Sequence, residues 1–412
     1  MTEPTNKPGR APRPPLRQGD VRGLKYFNCI SALLEKLHGH KDCHNRQLHY
    51  DELAMLLLLH YFNPALTSLR SLVQASDLKN VRRRLGVKHV SLGSLSEASR
   101  VFDPTLLREL FAELAGRIES DPARLPAGLP PELAVLAVDG TLLEALPRMA
   151  WALWLDSEHR ALKVHLEFDI LKGAPAAAAI TDGNGNEKEV LRESLQANKL
   201  YALDAGYARF TLFEAIRAKG SSFVARLHDN SVYELVAERP LTAADQAAGV
   251  VSDKVVWLGS TAAKRAELSV PLRLIAVHIK SPPERGLARR RSRVSSKKTF
   301  RHRPEEYDLL LASDRLDLSA EMIALLYRQR WQIELFFRWL KCLLGLKHLV
   351  FESREGATIQ IYCALIASLL ISLWTGRKPT KRTLEMVQFY FQGWADLEEL
   401  EAHIAGLPPI TR

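Results

Sequence analysis

The sequence predicts a mixed α/β protein, with helical regions on both sides of a sheet and a β-rich insertion within it. Three observations carry this expectation. Between residues 131 and 229, apolar strand runs alternate with helical patterns; from 230 to 308 the helical periodicity disappears; and residues 24–125 and 351–412 show helical patterns broken by Gly, Pro, Asn and Ser. A chain of 412 residues exceeds the usual size of one domain, so two or three domains with at least one substantial core are expected.

Residues 1–23 are rich in Pro, Arg and Lys and hold little to bury, which predicts a disordered basic arm. DELAMLLLLHYF (51–62), LTSLRSLVQAS (66–76), KNVRRRLG (79–86) and LGSLSEASRVF (92–102) then read as short helices of a helical DNA-binding domain over 24–125. Arg82, Arg83, Arg84 and Lys88 suit a helix-turn-helix-like reader of a DNA groove. HGHKDCHN offers His38, His40, Cys43 and His44 as zinc ligands, but the spacing is too compact for a finger and lacks a distal half, so a helix-end loop is expected.

PAGLPPEL reads as a linker into the sheet. ELAVLAVDG is an apolar strand ending in Asp139. ALKVHLEFDI alternates Leu162, Val164, Leu166, Phe168 and Ile170 with Lys163, His165, Glu167 and Asp169, the pattern of a half-buried strand. PAAAAITDG supplies a third strand, in which Asp182 sits among turn residues. EKEVLRESLQ is a helix, KLYALDAGY a strand ending in Asp204, ARFTLFEAIRAKG a helix and SSFVARL a strand. Three strands followed by helix, strand, helix, strand describe a ribonuclease-H-like mixed sheet over 131–229. VVWLGS and LRLIAVHI mark the insertion. Its end, residues 280–303, carries ten Lys or Arg in 24 residues, a density suited to gripping phosphate. EYDLLLAS returns the chain to the sheet, whose second part spans 309–350.

A helix follows, with Ser319 as N-cap and Glu321 in its first turn. At about 100° per residue, Tyr327, Arg330, Glu334 and Lys341 share one narrow stripe, while Leu326, Ile333, Phe336, Leu340, Leu343 and Leu344 fill an adjoining arc. One flank is therefore buried and the next lines something polar. Beyond it, residues 357–374 form an 18-residue run without a charge, at the lower limit for a membrane span; Thr358, Gln360, Ser368 and Ser372 interrupt it and point to a buried helix instead.

A net charge of +10 suggests a polyanionic partner, nucleic acid first. Four scattered cysteines and an N-terminus without an apolar core point to a reducing, cytoplasmic setting and to no membrane association. Asp139 and Asp204 each follow an apolar strand run, where a side chain emerges at the sheet's edge, and Glu334 lies on the helix after the insertion. Three carboxylates converging there suit two Mg²⁺ ions, with Mn²⁺ able to substitute, because hard cations prefer oxygen ligands and an open shell admits phosphate. Such a pair activates an attacking water or 3′-hydroxyl and stabilises the leaving oxygen. Arg330 and Lys341 would hold DNA phosphates, and Tyr327 a phosphate or a terminal base.

The spacing of Tyr327, Arg330, Glu334 and Lys341, together with AVDGT around Asp139, TDGNGNE, and LDAGY around Asp204, resembles the bacterial insertion-sequence transposases that have a DDE catalytic site and a YREK signature. The resemblance spans roughly residues 130–350. It implies a ribonuclease-H-like catalytic domain acting on the inverted repeats of a mobile element, with Asp139, Asp204 and Glu334 as catalytic metal ligands and Tyr327, Arg330 and Lys341 on the transposon end. It further implies nicking, hairpin formation by the freed 3′-hydroxyl, reopening, and joining to target DNA by a homodimer bound to double-stranded DNA. Family members can receive a flipped base on a tryptophan of the insertion, a role that falls here to Trp257. Ala205 stands where an arginine is common in the family, which removes one expected basic contact. A ribonuclease-H-like metal-dependent nuclease would share the acidic triad, and an inactive DNA-binding relative the helical N-terminal domain. The three carboxylates, basic stripe and helical domain together favour the transposase.

Overall fold

The computed structural model describes residues 34, 37–38, 48–85, 87–121, 128–130, 133–154, 156–280, 306–376 and 378–407. The basic arm, His40, Cys43, His44 and all but the first residue of the basic segment 280–303 lie outside the described residues.

In chain order the elements begin with helices α1 (Tyr50–Phe62), α2 (Leu69–Asp77), α3 (Lys79–Leu85), α4 (Leu92–Val101) and α5 (Thr105–Gly116). Strands β1 (Ala134–Glu144), β2 (Leu153–Trp154), β3 (Asp156–Asp169) and β4 (Ala174–Asp182) follow, then α6 (Glu187–Ser194), β5 (Lys199–Leu203), α7 (Phe210–Ala218) and β6 (Ser222–Arg226). The insertion contributes β7 (Tyr233–Glu238), β8 (Val250–Leu258) and β9 (Leu272–Lys280) with two short helical turns, and β10 (Glu306–Ser313) leads to α8 (Ala320–Gln329) and α9 (Trp331–Arg338). The chain ends in α10 (Arg354–Thr375), α11 (Lys381–Gln392) and α12 (Leu397–Ala405). The elements fall into two compact units. One contains the residues up to Ile118, Leu143–Ala161 and Arg338–Thr411; the other contains Glu119–Leu142 and Leu162–Phe337.

In the first unit, α10 packs against α1, α4 and α5, so segments far apart in sequence share one helical core. This is the uncharged run, and almost its whole length is buried. Its polar residues are satisfied internally: Ser368 Oγ donates to the Leu365 carbonyl (2.7 Å), Ser372 Oγ to the Ser368 carbonyl (3.2 Å), and Gln360 bonds the backbone of both Val350 and His348. Ser353 caps α10 and also donates to the Ser99 carbonyl (2.7 Å). A Cβ on Gly356 would lie 2.7 Å from the Ser99 side chain, so glycine permits the close approach of α10 and α4. His38, one of the zinc candidates, instead meets the Asp51 carboxylate at 3.0 Å and stacks on His49.

The second unit is built on a mixed sheet with the strand order β3, β1, β5, β6, β10, β9, β8, β7, and β4 pairs with β3. The β1–β5 and β5–β6 pairs are parallel; β6–β10, β10–β9, β9–β8 and β8–β7 are antiparallel. The insertion's strands thus continue the same sheet through β10. Leu136, Val138, Tyr201, Leu203, Phe213, Ile216 and Phe223 form the core between the sheet and α6 and α7. Helix α8 lies against β5, β6, β8 and β9 and buries Ile323 and Leu326.

Three local expectations need correction. Strand β1 does not end at Asp139 but runs on to Glu144; what ends there is its parallel pairing, whose last partners are Val138 and Leu203. The polar face of β3 is not solvated, since His165, Glu167 and Asp169 are all buried. Glu167 accepts from Ser194 Oγ of α6 (2.6 Å) and His165 Nε2 bonds Thr181 (2.9 Å), so this face is covered, although His165 Nδ1 is buried without a hydrogen bond. The single helix expected through residues 326–344 is interrupted. It ends at Gln329 with Arg330 as C-cap, restarts at Trp331, and widens into a π-turn at Trp339–Leu343. Ser319 does cap α8, accepting from Met322 N, and Glu321 occupies its first turn.

Candidate active site

Asp139 and Asp204 follow the last register pair of two adjacent parallel strands, Val138 and Leu203, and so stand side by side at the carboxyl end of their parallel pairing. Open α/β sheets place ligands at such ends. Asp139 Oδ1 accepts the Gly140 N–H at 2.8 Å. Asp204 opens a 3₁₀ turn, Ala205–Tyr207, and its Oδ1 accepts both the Ala205 N–H (2.8 Å) and the Tyr327 hydroxyl (3.3 Å).

Arg330 stands among the carboxylates. Its Nη2 donates to Glu334 Oε1 at 2.6 Å, its Nη1 lies 3.7 Å from Asp139 Oδ2, and its guanidinium sits 5.7 Å from the centre of the Tyr327 ring. The residue is only 8% exposed, and Nε and Nη1 have no hydrogen bond. Burial works against its charge, yet Tyr327, Asp204, Glu334 and Asp139 outweigh burial and raise its pKa. Asp139 shows the converse: burial pushes its carboxyl up to about 6, Glu187 and Glu334 add to the shift, and the Gly140 N–H and Arg330 oppose it.

Arg330 keeps helical backbone dihedrals, φ −53° and ψ −30°, at the junction of α8 and α9. With Arg330 as the C-cap of α8, its side chain reaches Asp139 and, one turn on, Glu334. The structure therefore brings together five of the residues singled out in the sequence: Asp139, Asp204, Tyr327, Arg330 and Glu334. Lys341 belongs to the other unit, in the π-turn. Trp257 on β8 packs against the sheet's hydrophobic core opposite Glu234 of β7, and no hydrogen bond, ion pair or ring contact joins it to the five. Asp182 makes a turn, accepting from Asn184 N at 3.0 Å.

Two neighbours were not singled out from the sequence. Glu187, the first residue of α6, bears electrostatically on Asp139, and Tyr207, three residues past Asp204, lies under the charges of Glu187, Asp139, Arg330 and Asp204. Both sit inside quoted motifs, TDGNGNE and LDAGY, which was the available signal.

Among the described residues no three acidic, imidazole or thiol groups stand close enough to form a ready metal cage; the Arg330 guanidinium holds the centre instead. The donor chemistry nevertheless suits a hard divalent cation. The donors are carboxylate oxygens, two of them on adjacent chain segments where the β1–β5 pairing stops, and a buried carboxylate with a raised pKa is an anion in want of positive charge.

The two aspartates thus stand where the parallel pairing of β1 and β5 stops, with the helix-borne Arg330–Glu334 pair beside them. The chain belongs to the transposase DDE domain family, which it matches over residues 130–370. Its relatives include a putative transposase of Sinorhizobium fredii, 25% identical over 281 residues that cover 68% of this chain and 70% of the relative. The putative transposase of insertion sequence element IS4SA of Synechocystis is 22% identical and covers 74% of this chain and 76% of the relative. The transposase of insertion sequence element IS421 of Escherichia coli is 30% identical over 57% of this chain and 64% of the relative. The protein is thus an enzyme of DNA transposition, a DDE transposase.

Proposed function

We propose that this transposase binds the inverted repeats of an insertion sequence as a homodimer, cleaves the ends by Mg²⁺-dependent phosphoryl transfer, and joins them to target DNA in the cytoplasm. Its catalytic core is read as ribonuclease-H-like, followed in sequence by the Glu334 helix. The placement of Asp139 beside Asp204, with Glu334 tied to Asp139 through Arg330, carries this reading.

Asp139, Asp204 and Glu334 would hold the metal, whose chemistry is to lower the pKa of an attacking water or 3′-hydroxyl and to stabilise the leaving oxygen. The protein's own groups supply orientation. Tyr327 holds Asp204 through its hydroxyl, and Arg330, at the α8–α9 junction, carries a planar fork that matches a phosphate as well as a carboxylate. An incoming phosphate would draw Arg330 away from Asp139. Lys341 and Trp257 take their roles, a phosphate contact and a base stack, from the family resemblance alone.

The test uses the DNA that borders the gene. A duplex carrying one candidate inverted repeat is incubated with protein and Mg²⁺, in parallel with Glu334→Ala. Cleavage at the edge of the repeat, abolished in the variant, is expected. Indiscriminate cutting abolished in the same variant would mark a nuclease, and binding without cutting an inactive relative; either sinks the proposal.

A further inference from the structure

We propose that Glu187 and Tyr207 form a positioning layer behind Asp139 and Asp204 that sets the site's affinity for a divalent cation. This rests on Asp139 being a metal ligand, as argued above.

Glu187 is placed with care. Asn186 caps α6 through its side chain, and Lys163 of β3 fixes the preceding loop, donating to the Gly185 carbonyl at 3.0 Å while meeting Glu187 Oε1 at 3.3 Å. On the other side the backbone makes room: a Cβ on Gly140 would lie 2.7 Å from Glu187 Oε1. The residue after Asp139 is thus open where the Glu187 carboxylate comes in. That carboxylate adds negative potential at Asp139.

Tyr207 is the independent observation. The residue is 2% exposed and its hydroxyl has no hydrogen-bond partner. A buried hydroxyl without a partner is costly, and folded proteins rarely keep one. This one is carried on the turn that Asp204 opens, with the Tyr207 N–H donating to the Asp204 carbonyl at 2.9 Å, and it lies under the charges of Glu187, Asp139, Arg330 and Asp204. Carboxylates that gather around a cation present their outward oxygens to a second layer of donors, and such donors orient metal ligands. The Tyr207 hydroxyl is a donor in reserve for that state, and Glu187 deepens the negative potential that attracts the cation. Neither residue touches substrate in this assignment; both act through the aspartates.

The experiment titrates Mn²⁺ into the full-length protein without DNA, read by electron paramagnetic resonance, for wild type, Glu187→Gln, Tyr207→Phe, Glu187→Asp and Asp139→Asn, with thermal unfolding of each in EDTA. Loss of an outer-layer partner weakens metal affinity by about 10- to 100-fold, and that range is expected for Glu187→Gln and Tyr207→Phe. Glu187→Asp should recover part of the loss, and Tyr207→Phe should unfold no earlier than wild type. Wild-type Mn²⁺ affinity in either Glu187→Gln or Tyr207→Phe overturns the layer, as does a Tyr207→Phe protein that unfolds several degrees early. If Asp139→Asn itself binds Mn²⁺ like wild type, the ligand reading fails first and the layer with it. Lost binding in Asp139→Asn with intact binding in the other two overturns the layer alone.

Discussion

Asp139→Asn should stabilise the metal-free protein while abolishing its chemistry. Burial, joined by Glu187 and Glu334, raises the Asp139 carboxyl from 3.8 to about 6 against the opposing Gly140 N–H and Arg330. Below about pH 4 the group is protonated in both folded and unfolded chains and contributes nothing. As pH rises toward 6 the unfolded chain releases this proton while the folded chain still holds it, so stability falls; above 6 the penalty is constant. A shift of roughly 2 units corresponds to about 3 kcal/mol at most, at about 1.4 kcal/mol per unit. The side chain is 27% exposed, so solvent screening is limited. That shift already sets the Gly140 bond and the Arg330 attraction against burial, so the neutral asparagine should gain about 2 kcal/mol once the remaining solvent screening is allowed for. For a unit of this size that is on the order of 5 °C in Tm. Thermal unfolding in EDTA between pH 5 and 8 checks it: Asp139→Asn should melt higher at pH 7.5, and the gap should shrink to about half at pH 5. A variant that melts lower at pH 7.5, or a gap that widens toward acid, refutes the reasoning.

Arg330→Gln removes the guanidinium from between Asp139 and Glu334, where one contact at 3.7 Å is worth about 4 kcal/mol before desolvation at an effective dielectric of about 20. Mn²⁺ affinity without DNA should therefore rise about 10-fold while cleavage at the DNA end falls; weaker Mn²⁺ binding would contradict the central place given to Arg330. Gly140→Ala should push aside the flexible end of Glu187, so Mn²⁺ titration should show the loss expected for Glu187→Gln, at a stability cost below about 1 kcal/mol. In the insertion, Arg273 is 1% exposed and meets Asp253 through two bonds, at 2.9 and 2.6 Å. Arg273→Ala should cost about 3 kcal/mol in urea unfolding, softened by Arg239 at 3.4 Å from the same carboxylate, and Arg273→Met with Asp253→Leu should recover most of it.

The strands that carry the aspartates were legible because LAVLAV and KLYAL are apolar on both faces, as parallel strands covered on both sides must be. The side-by-side placement of Asp139 and Asp204 was not, since the pairing of Val138 with Leu203 spans 65 positions and leaves no local mark. The stripe of Tyr327, Arg330 and Glu334 was visible by periodicity. The break at Arg330 was hidden, because the flanking residues are good helix formers and neither Gly nor Pro marks it. Glu187 and Tyr207 lay in plain view inside recognised motifs, yet each owes its meaning to neighbours on other elements. The buried polar face of β3 escaped for a related reason: alternation reports two faces, and only the tertiary partners, Thr181 and Ser194, decide whether the polar one meets water.

Three departures from a relaxed fold meet at the candidate site. Arg330 is buried with two unbonded nitrogens, Tyr207 with an unbonded hydroxyl, and Asp139 with a carboxyl raised toward neutrality. A chain optimised for stability alone would carry Asn at 139 and Phe at 207, which fill the same space without the unmet demand. Local rules fail where function requires it. Each of these groups lacks something a DNA end with its cation would bring: a cation for Asp139, a phosphate for Arg330, and for Tyr207 a carboxylate oxygen turned outward. The three deficits are therefore one, and Arg330 links them, since its departure toward a phosphate would free the carboxylates for a cation and give Tyr207 an acceptor. End binding and metal binding should accordingly be cooperative, and wild-type Mn²⁺ affinity should rise when the inverted-repeat duplex is added, a rise that Arg330→Gln should no longer show.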